Sequence, residues 1–191
     1  AVLQQRQEKT TGSHFGAAVA CAGPTMTLLE PSAPALLVWD VAGDEPIEIS
    51  RFGHFGPKSG ELVRPEGIAL DRDAGRAYVT DPGQGRLSVY GVARPSEPGL
   101  RYMPELVRFV KSLDFRALWE SERPAKTTEP AAKPMEPTGW PIEPGAVAVA
   151  KSGDLFLIDA ANSRVVVLDR KLALLRSFGG GRSADARLFR P

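Results

Sequence analysis

Reactive side chains are scarce in this 191-residue chain, which has one cysteine and two histidines. Because Cys21 stands alone, an internal disulfide and a cysteine-based metal cluster are excluded within the chain. His14 and His54 do not lie at a metal-ligand spacing, and neither accompanies a nucleophile motif. The sequence therefore predicts no catalytic residue, no metal and no cofactor.

An excess of one charge sign and long apolar runs are also missing. The 24 basic and 23 acidic residues leave a net charge of +1. The chain as a whole therefore has no strong positive electrostatic field that would attract nucleic acid. No run approaches the roughly 18 apolar residues of a membrane span. We therefore predict no membrane insertion. The hydrophobic fraction of 42% is enough for one compact core.

What the sequence does contain is a repeat. The segments PEGIALDRDAGRAYVTDPGQGRLSVY, at 65–90, and PGAVAVAKSGDLFLIDAANSRVVVLD, at 144–169, align with an offset of 79 that becomes 78 after one turn. Each segment has three short apolar runs rich in β-branched and aromatic residues and separated by polar turns. This pattern predicts three strands. The alignment matches Pro65 with Pro144, Asp81 with Asp159 and Arg86 with Arg164.

A third copy lies near the N-terminus. The segment beginning at Gly16 aligns without a gap at an offset of 129, which predicts that Cys21 ends an inner strand as a small buried residue. Fourth strands are predicted at 47–53 and 172–179, each ending in Phe-Gly. Pro65 follows Phe52 by 13 residues and Pro191 follows Phe178 by the same number, which predicts that a further repeat begins at the end of the chain.

The middle copy carries an insertion at 92–139. Its second half is proline-rich and predicts an irregular linker. In its first half, apolar residues within 105–119 recur at roughly helical spacing, which predicts a short amphipathic helix. The alternative is that LVRFVKSL is the fourth strand that the middle copy otherwise lacks.

These units resemble the NHL repeat. The resemblance rests on the residues Pro-Glu-Gly-Ile-Ala-Leu-Asp at 65–71 and, in the copy at 144–169, which is the closer match, on Asp159, Asn162 and Arg164. The resemblance implies an all-β fold, a β-propeller of four-stranded blades that stack face to face. Six blades are usual in the family, whereas this chain encodes about three. We expect an N-terminal tail at 1–14 and a propeller region at 15–191, with blades at about 15–53, 65–91 and 144–179 and a next blade starting at 180–191.

Acidic and basic residues recur at one turn of the repeat. We interpret them as structural turn residues, in which each Asp accepts hydrogen bonds from the backbone and each Arg pairs with the Asp of its own blade. They are Asp81, Arg86, Asp159, Asn162 and Arg164. Related propeller enzymes, lactonase-like and lyase-like, hold a metal at the inner strand ends. Here only Glu66 is acidic at that place, and one carboxylate makes no such site.

RNA binding is the first alternative function, because some NHL propellers bind RNA on a basic face. Basic residues of the insertion, among them Arg108, Lys111 and Arg116, and the aromatic Phe109 and Trp119 are its candidates. Acidic neighbours offset the basic ones. A metal-dependent propeller enzyme is the second alternative.

The main hypothesis is a non-catalytic scaffold that binds another protein. We expect contact residues in the insertion and at the strand ends, and they are Trp140, Pro141, Trp119, Phe109, Arg108 and Glu66. Blades of a longer chain, another subunit or a second copy are expected to complete the ring, because open end blades expose apolar faces. The start at Ala1 predicts processing or a longer product and, with the single cysteine, favours a periplasmic or extracellular protein.

Overall fold

A computed structural model describes residues 18–30, 34–93, 104–122 and 142–179. Within them the chain forms three antiparallel sheets of four strands, each sheet built from strands consecutive in sequence. No helix in these ranges is long and apolar enough to span a membrane. Blade 1 consists of β1 (Val19–Ala22), β2 (Thr25–Glu30), β3 (Ala35–Asp40) and β4 (Ile47–Phe52). Blade 2 consists of β5 (Gly67–Asp71), β6 (Arg76–Asp81), β7 (Arg86–Val92) and β8 (Val107–Asp114), and blade 3 of β9 (Pro144–Val149), β10 (Leu155–Asp159), β11 (Arg164–Leu168) and β12 (Leu174–Gly179).

The blades bury their apolar faces against one another. One core lies between blades 1 and 2 and contains Leu36, Val79 and Tyr90, while the other lies between blades 2 and 3 and contains Tyr78 and Leu157. Alternate residues of the middle blade therefore belong to different cores, because side chains along a strand point to opposite faces. The prediction of an all-β propeller built of four-stranded blades is confirmed.

The first half of the insertion forms a strand followed by a helix. After a 3-10 turn at Pro104–Leu106, β8 pairs with β7, and a helix, α1 (Phe115–Glu122), follows. The helix predicted within 105–119 is therefore wrong over 107–114, and the alternative of a fourth strand is correct there. The edge of β7 offers unpaired backbone groups, and pairing with it outweighs local helical spacing.

Four apolar side chains of residues 105–119 are buried in the cores of the blades. Leu106 and Val107 are buried in the core between blades 1 and 2, and Phe115 and Leu118 are buried in the core between blades 2 and 3. These side chains complete the cores of the blades.

Cys21 is exposed, which corrects the prediction of a buried residue. In β1 it pairs in register with Met26, whereas in blade 3 the strand position equivalent to Met26, Leu155, pairs with Val149. The inner strand of blade 1 is thus shifted by one residue relative to the gapless alignment. A shift of one residue turns each side chain of a strand to the opposite face.

The inner strands of blades 2 and 3 meet at two glycines. The Thr80 hydroxyl accepts a hydrogen bond from the backbone N–H of Gly67 at 2.9 Å and donates to the carbonyl oxygen of Gly145 at 2.6 Å. A Cβ on Gly67 would lie 2.8 Å from that same carbonyl oxygen. The absence of a side chain at Gly67 therefore allows the two blades to approach.

Gly67→Ala is expected to destabilise the fold by about 1–3 kcal/mol, because the added methyl group separates the two inner strands. Gly43→Ala is the matched control, since a Cβ there meets nothing within 4 Å. Chemical denaturation of both variants measures the difference. Equal stability of the two variants would contradict the close approach of the strands.

Candidate functional site

One end of the blades gathers ordered loops, and we name it the loop end. β5 and β9 begin there, while β6 and β10 end there with Asp81 and Asp159. The segment that joins blades 1 and 2, which we name the 53–62 loop, lies at this end because β4 leads into it and β5 starts after it. In propellers such loops are the surfaces available for binding.

A buried carboxylate at the end of β6 ties the loop end together. Asp81 accepts hydrogen bonds from the backbone N–H groups of Val63 at 2.8 Å and Arg64 at 3.0 Å. It also accepts from the backbone and side-chain amides of Gln84, at 3.2 and 3.0 Å. Charged acceptors give the stronger class of hydrogen bond. Asp81 therefore fixes the approach to β5 relative to the β6–β7 turn.

Blade 3 repeats this arrangement with one difference. Asp159 accepts from the backbone N–H of Glu143 at 3.2 Å and from the Asn162 side chain at 2.7 Å, and it pairs with Arg164 at 2.8 Å. The aspartate in blade 3 therefore binds both the amide and the arginine of its own turn.

Arg86 does not make the ion pair with Asp81 that the repeat predicts. In the described part of the chain its guanidinium donates to the carbonyl oxygens of Lys58, at 2.8 Å, and Glu61. The physical reason is that the 53–62 loop passes within reach of the guanidinium and presents backbone acceptors to it. Arg86 thus holds the loop between blades.

The 53–62 loop is fixed by further hydrogen bonds. The Glu61 carboxylate accepts from the backbone N–H of Lys58 at 2.8 Å and contacts His54 Nε2 at 3.0 Å. The side-chain amide of Gln84 donates to the carbonyl oxygens of Gly56 and Glu61, at 3.2 and 3.1 Å. Leu62, which is fully buried, closes the loop in the core between blades 1 and 2. These contacts hold the loop against blades 1 and 2.

This fixed loop exposes an aromatic ring. Phe55 is 69% exposed, although its backbone is bridged to the buried Leu62. The His54 side chain beside it is 74% exposed. The sequence analysis did not single out Phe55. The signal available was an aromatic residue within FGHFGPKSG, a glycine-rich stretch between two strands.

A second group at the loop end is a charged cluster. Arg64 lies 3.4 Å from a carboxylate oxygen of Glu66 and 4.0 Å from one of Glu143. Glu66 was expected to be the one acidic residue at the inner strand ends, yet the fold brings Glu143 of blade 3 next to it. Burial raises the pKa of Glu66, and the carboxylates of Glu143 and Asp81 add to the rise, whereas Arg64 opposes it.

The other predicted contact residues are Trp140, Pro141, Trp119, Arg108 and Phe109. Trp140 and Pro141 are outside the described residues, and Trp119 has only its backbone described, in α1. Arg108 is exposed on β8. Phe109 packs edge to face on Tyr90 at 5.9 Å, and Lys111 donates to the Lys171 carbonyl oxygen at 2.9 Å. Phe109 and Lys111, both candidates for RNA binding, are thus engaged in packing between strands and blades.

Across residues 18–30, 34–93, 104–122 and 142–179, no group of three or more histidine, cysteine, aspartate and glutamate residues is arranged to hold a metal ion.

Glu61→Ala is expected to speed amide hydrogen exchange at Lys58 about tenfold or more, because the N–H loses its charged acceptor. The hydrogen bond from Lys58 lowers the pKa of Glu61, helped by His54 and opposed by burial. The order that this hydrogen bond gives the loop is therefore fully present above the pKa that Glu61 has in the unfolded chain. It is lost as the pH falls through the lower pKa that Glu61 has in the folded chain. Exchange measured by NMR at several pH values tests this, with Glu105→Ala, which is exposed on the 3-10 turn, as control. Unchanged exchange at Lys58 would contradict it.

The pKa of Glu66 is expected to fall in Glu143→Gln and to rise in Arg64→Gln, because the first change removes a repelling charge and the second an attracting one. NMR titration of the Glu66 side-chain carboxyl carbon measures both. Shifts of the same sign in the two variants would show that the cluster does not set this pKa.

Comparison with known proteins finds solved structures that match at low sequence identity. No family model matches the chain, and no curated protein matches it. A structure of a protein of unknown function from Desulfotomaculum acetoxidans matches with 14% identity and a TM-score of 0.51, over 85% of this chain and 41% of that one. Hydrazine synthase of Kuenenia stuttgartiensis matches with 14% identity and a TM-score of 0.49, over 89% and 38%. A 6-phosphogluconolactonase-like protein of Bacteroides uniformis matches with 13% identity and a TM-score of 0.47, over 88% and 43%.

The chain spans about two fifths of the length of these structures. At such low identity the likeness concerns the fold alone. It transfers no activity to this chain.

Proposed function

We propose that this chain is a stretch of NHL-type propeller that acts as a non-catalytic scaffold and binds another protein through its loop end. The NHL assignment is supported by the repeated Asp81 and Asp159, whose carboxylates hold the approach to an inner strand in two blades. A structural role accounts for an aspartate that recurs in each blade, whereas the residues of an active site normally occur once in a chain.

Phe55 is the observation that carries the proposal. Large aromatic side chains supply much of the binding energy at protein interfaces. The loop that holds Phe55 is fixed by Glu61, Gln84 and Arg86. Because the loop is already ordered, binding there loses little conformational entropy.

Charged residues at the same end suit the rim of such an interface. His54 is exposed beside Phe55, and the cluster of Arg64, Glu66 and Glu143 carries both signs of charge. Polar rims around an aromatic centre are typical of interfaces between proteins that also exist apart. We infer that the partner contributes an apolar pocket for Phe55.

A photocrosslinking amino acid at position 55 tests the proposal in cells that naturally make the protein. We expect one discrete protein adduct, identified by mass spectrometry. The matched control carries the same amino acid in place of Val110, which is 42% exposed on β8. Equal adducts at the two positions, or none at position 55, would contradict a binding site on the 53–62 loop.

Phe55→Ala is expected to weaken binding to the captured protein about 30-fold or more, the effect of removing an interface hot spot of about 2 kcal/mol. Val110→Ala is expected to leave the affinity unchanged. Calorimetric titration of the purified pair measures both, and thermal unfolding verifies that each variant folds. An affinity that does not depend on Phe55 would contradict the assignment.

A further inference from the structure

The charged side chains of the 53–62 loop differ in how far they reach into water. Lys58 is exposed, and the His54 side chain is 74% exposed. Glu61 carries the one carboxylate of the loop, and its side chain is only 14% exposed. A molecule that touches the loop beside Phe55 therefore meets an ammonium group and an imidazole more readily than a carboxylate.

Glu61 is turned inward because Gly56 leaves room for it. A Cβ on Gly56 would overlap Oε2 of Glu61, so the carboxylate occupies the space that a side chain would take there. Both carboxylate oxygens are engaged within the loop: Oε2 accepts the backbone N–H of Lys58 at 2.8 Å, and Oε1 lies 3.0 Å from His54 Nε2. The negative charge of the loop is therefore used to fold it.

The same contacts fix the backbone from which the Lys58 side chain extends. Its N–H donates to the Glu61 carboxylate, while its carbonyl oxygen accepts from the Glu61 N–H at 3.1 Å and from the Arg86 guanidinium at 2.8 Å. Lys58 follows Phe55 by three residues in this bonded loop. An aromatic ring and an ammonium group are thus presented together from one fixed segment.

Aromatic residues of blade 2 support this segment from below. Gly60 has a φ of +84°, a conformation that favours glycine, and a Cβ there would lie 3.2 Å from the Cβ of Phe109. The Tyr90 hydroxyl donates to the Gly60 carbonyl oxygen at 3.4 Å. The turn after Lys58 therefore rests on side chains of β7 and β8.

Other carboxylates of the loop end do not belong to the loop. Asp81 is fully buried and accepts hydrogen bonds from the backbone. Glu66 and Glu143 directly precede the inner strands β5 and β9, and both lie within 4.0 Å of the Arg64 guanidinium. The accessible charge of the 53–62 loop itself is therefore positive.

We propose that the partner pocket for Phe55 is bordered by carboxylates, one of which receives the Lys58 ammonium group. This inference rests on the proposed function, because it specifies the chemistry of the protein that binds there. Interfaces match positive with negative surface, and such matching speeds association and excludes wrong partners. The partner is thus a protein that presents an apolar pocket with an acidic border.

The purified protein that crosslinks at position 55 is the probe for this proposal. Lys58→Glu is expected to raise its dissociation constant at least about tenfold, because the new carboxylate then faces those of the partner. Lys58→Arg keeps the positive charge and should bind like the unchanged chain. The control is Lys151→Glu, the same charge change in the exposed β9–β10 turn at the opposite end of blade 3. Calorimetric titration measures the affinities, and thermal unfolding verifies that each variant folds.

A carbodiimide, which joins an amine to a carboxylate in contact with it, supplies a second readout. We expect it to couple Lys58 to an aspartate or glutamate of the captured protein, and the coupling should be lost in Lys58→Arg although that variant binds. Equal affinities of Lys58→Glu and the unchanged chain, or no coupling at Lys58, would overturn the acidic border and leave the site at Phe55 intact. Capture of RNA or of nothing at position 55 would overturn both this proposal and the proposed function.

Discussion

The face-to-face burial of the blades is the constraint on which the rest of this structure depends. A four-stranded sheet cannot bury both its faces by itself, so the middle blade is stable because it has a neighbour on each side. The inner strands come close because Gly67 has no side chain, and the Thr80 hydroxyl bonds both the Gly67 N–H and the Gly145 carbonyl oxygen at this junction. A buried N–H or carbonyl without a partner at this point would weaken the junction.

The loops of the loop end are ordered by hydrogen bonds next to this junction. Asp81 and Asp159 are buried at the ends of the second strands of their blades, and each uses its charge to bind the backbone before an inner strand. Gln84 and Arg86 extend that order to the 53–62 loop. A surface that binds other molecules benefits from such support, because its exposed residues need no further ordering.

The same constraint connects the middle blade with its insertion. Residues 107–114 complete blade 2, and α1 then places Phe115 and Leu118 in the neighbouring core. These apolar residues are therefore buried in the cores and do not form a binding surface. Phe55 of the 53–62 loop remains exposed, and it gives the scaffold proposal its structural basis.

The sequence by itself determined the blade architecture, because alternating apolar bursts and recurrent turn residues are local signals that repeat three times. It also indicated the roles of Asp159 and Arg164, which lie five residues apart in one turn. Only the tertiary structure decided the strand at 107–114, the exposure of Cys21, the Glu66–Glu143 proximity and the partners of Arg86. Each of these depends on which edge, face or loop of another segment is nearby, and such pairing over long sequence separations leaves no local pattern to read.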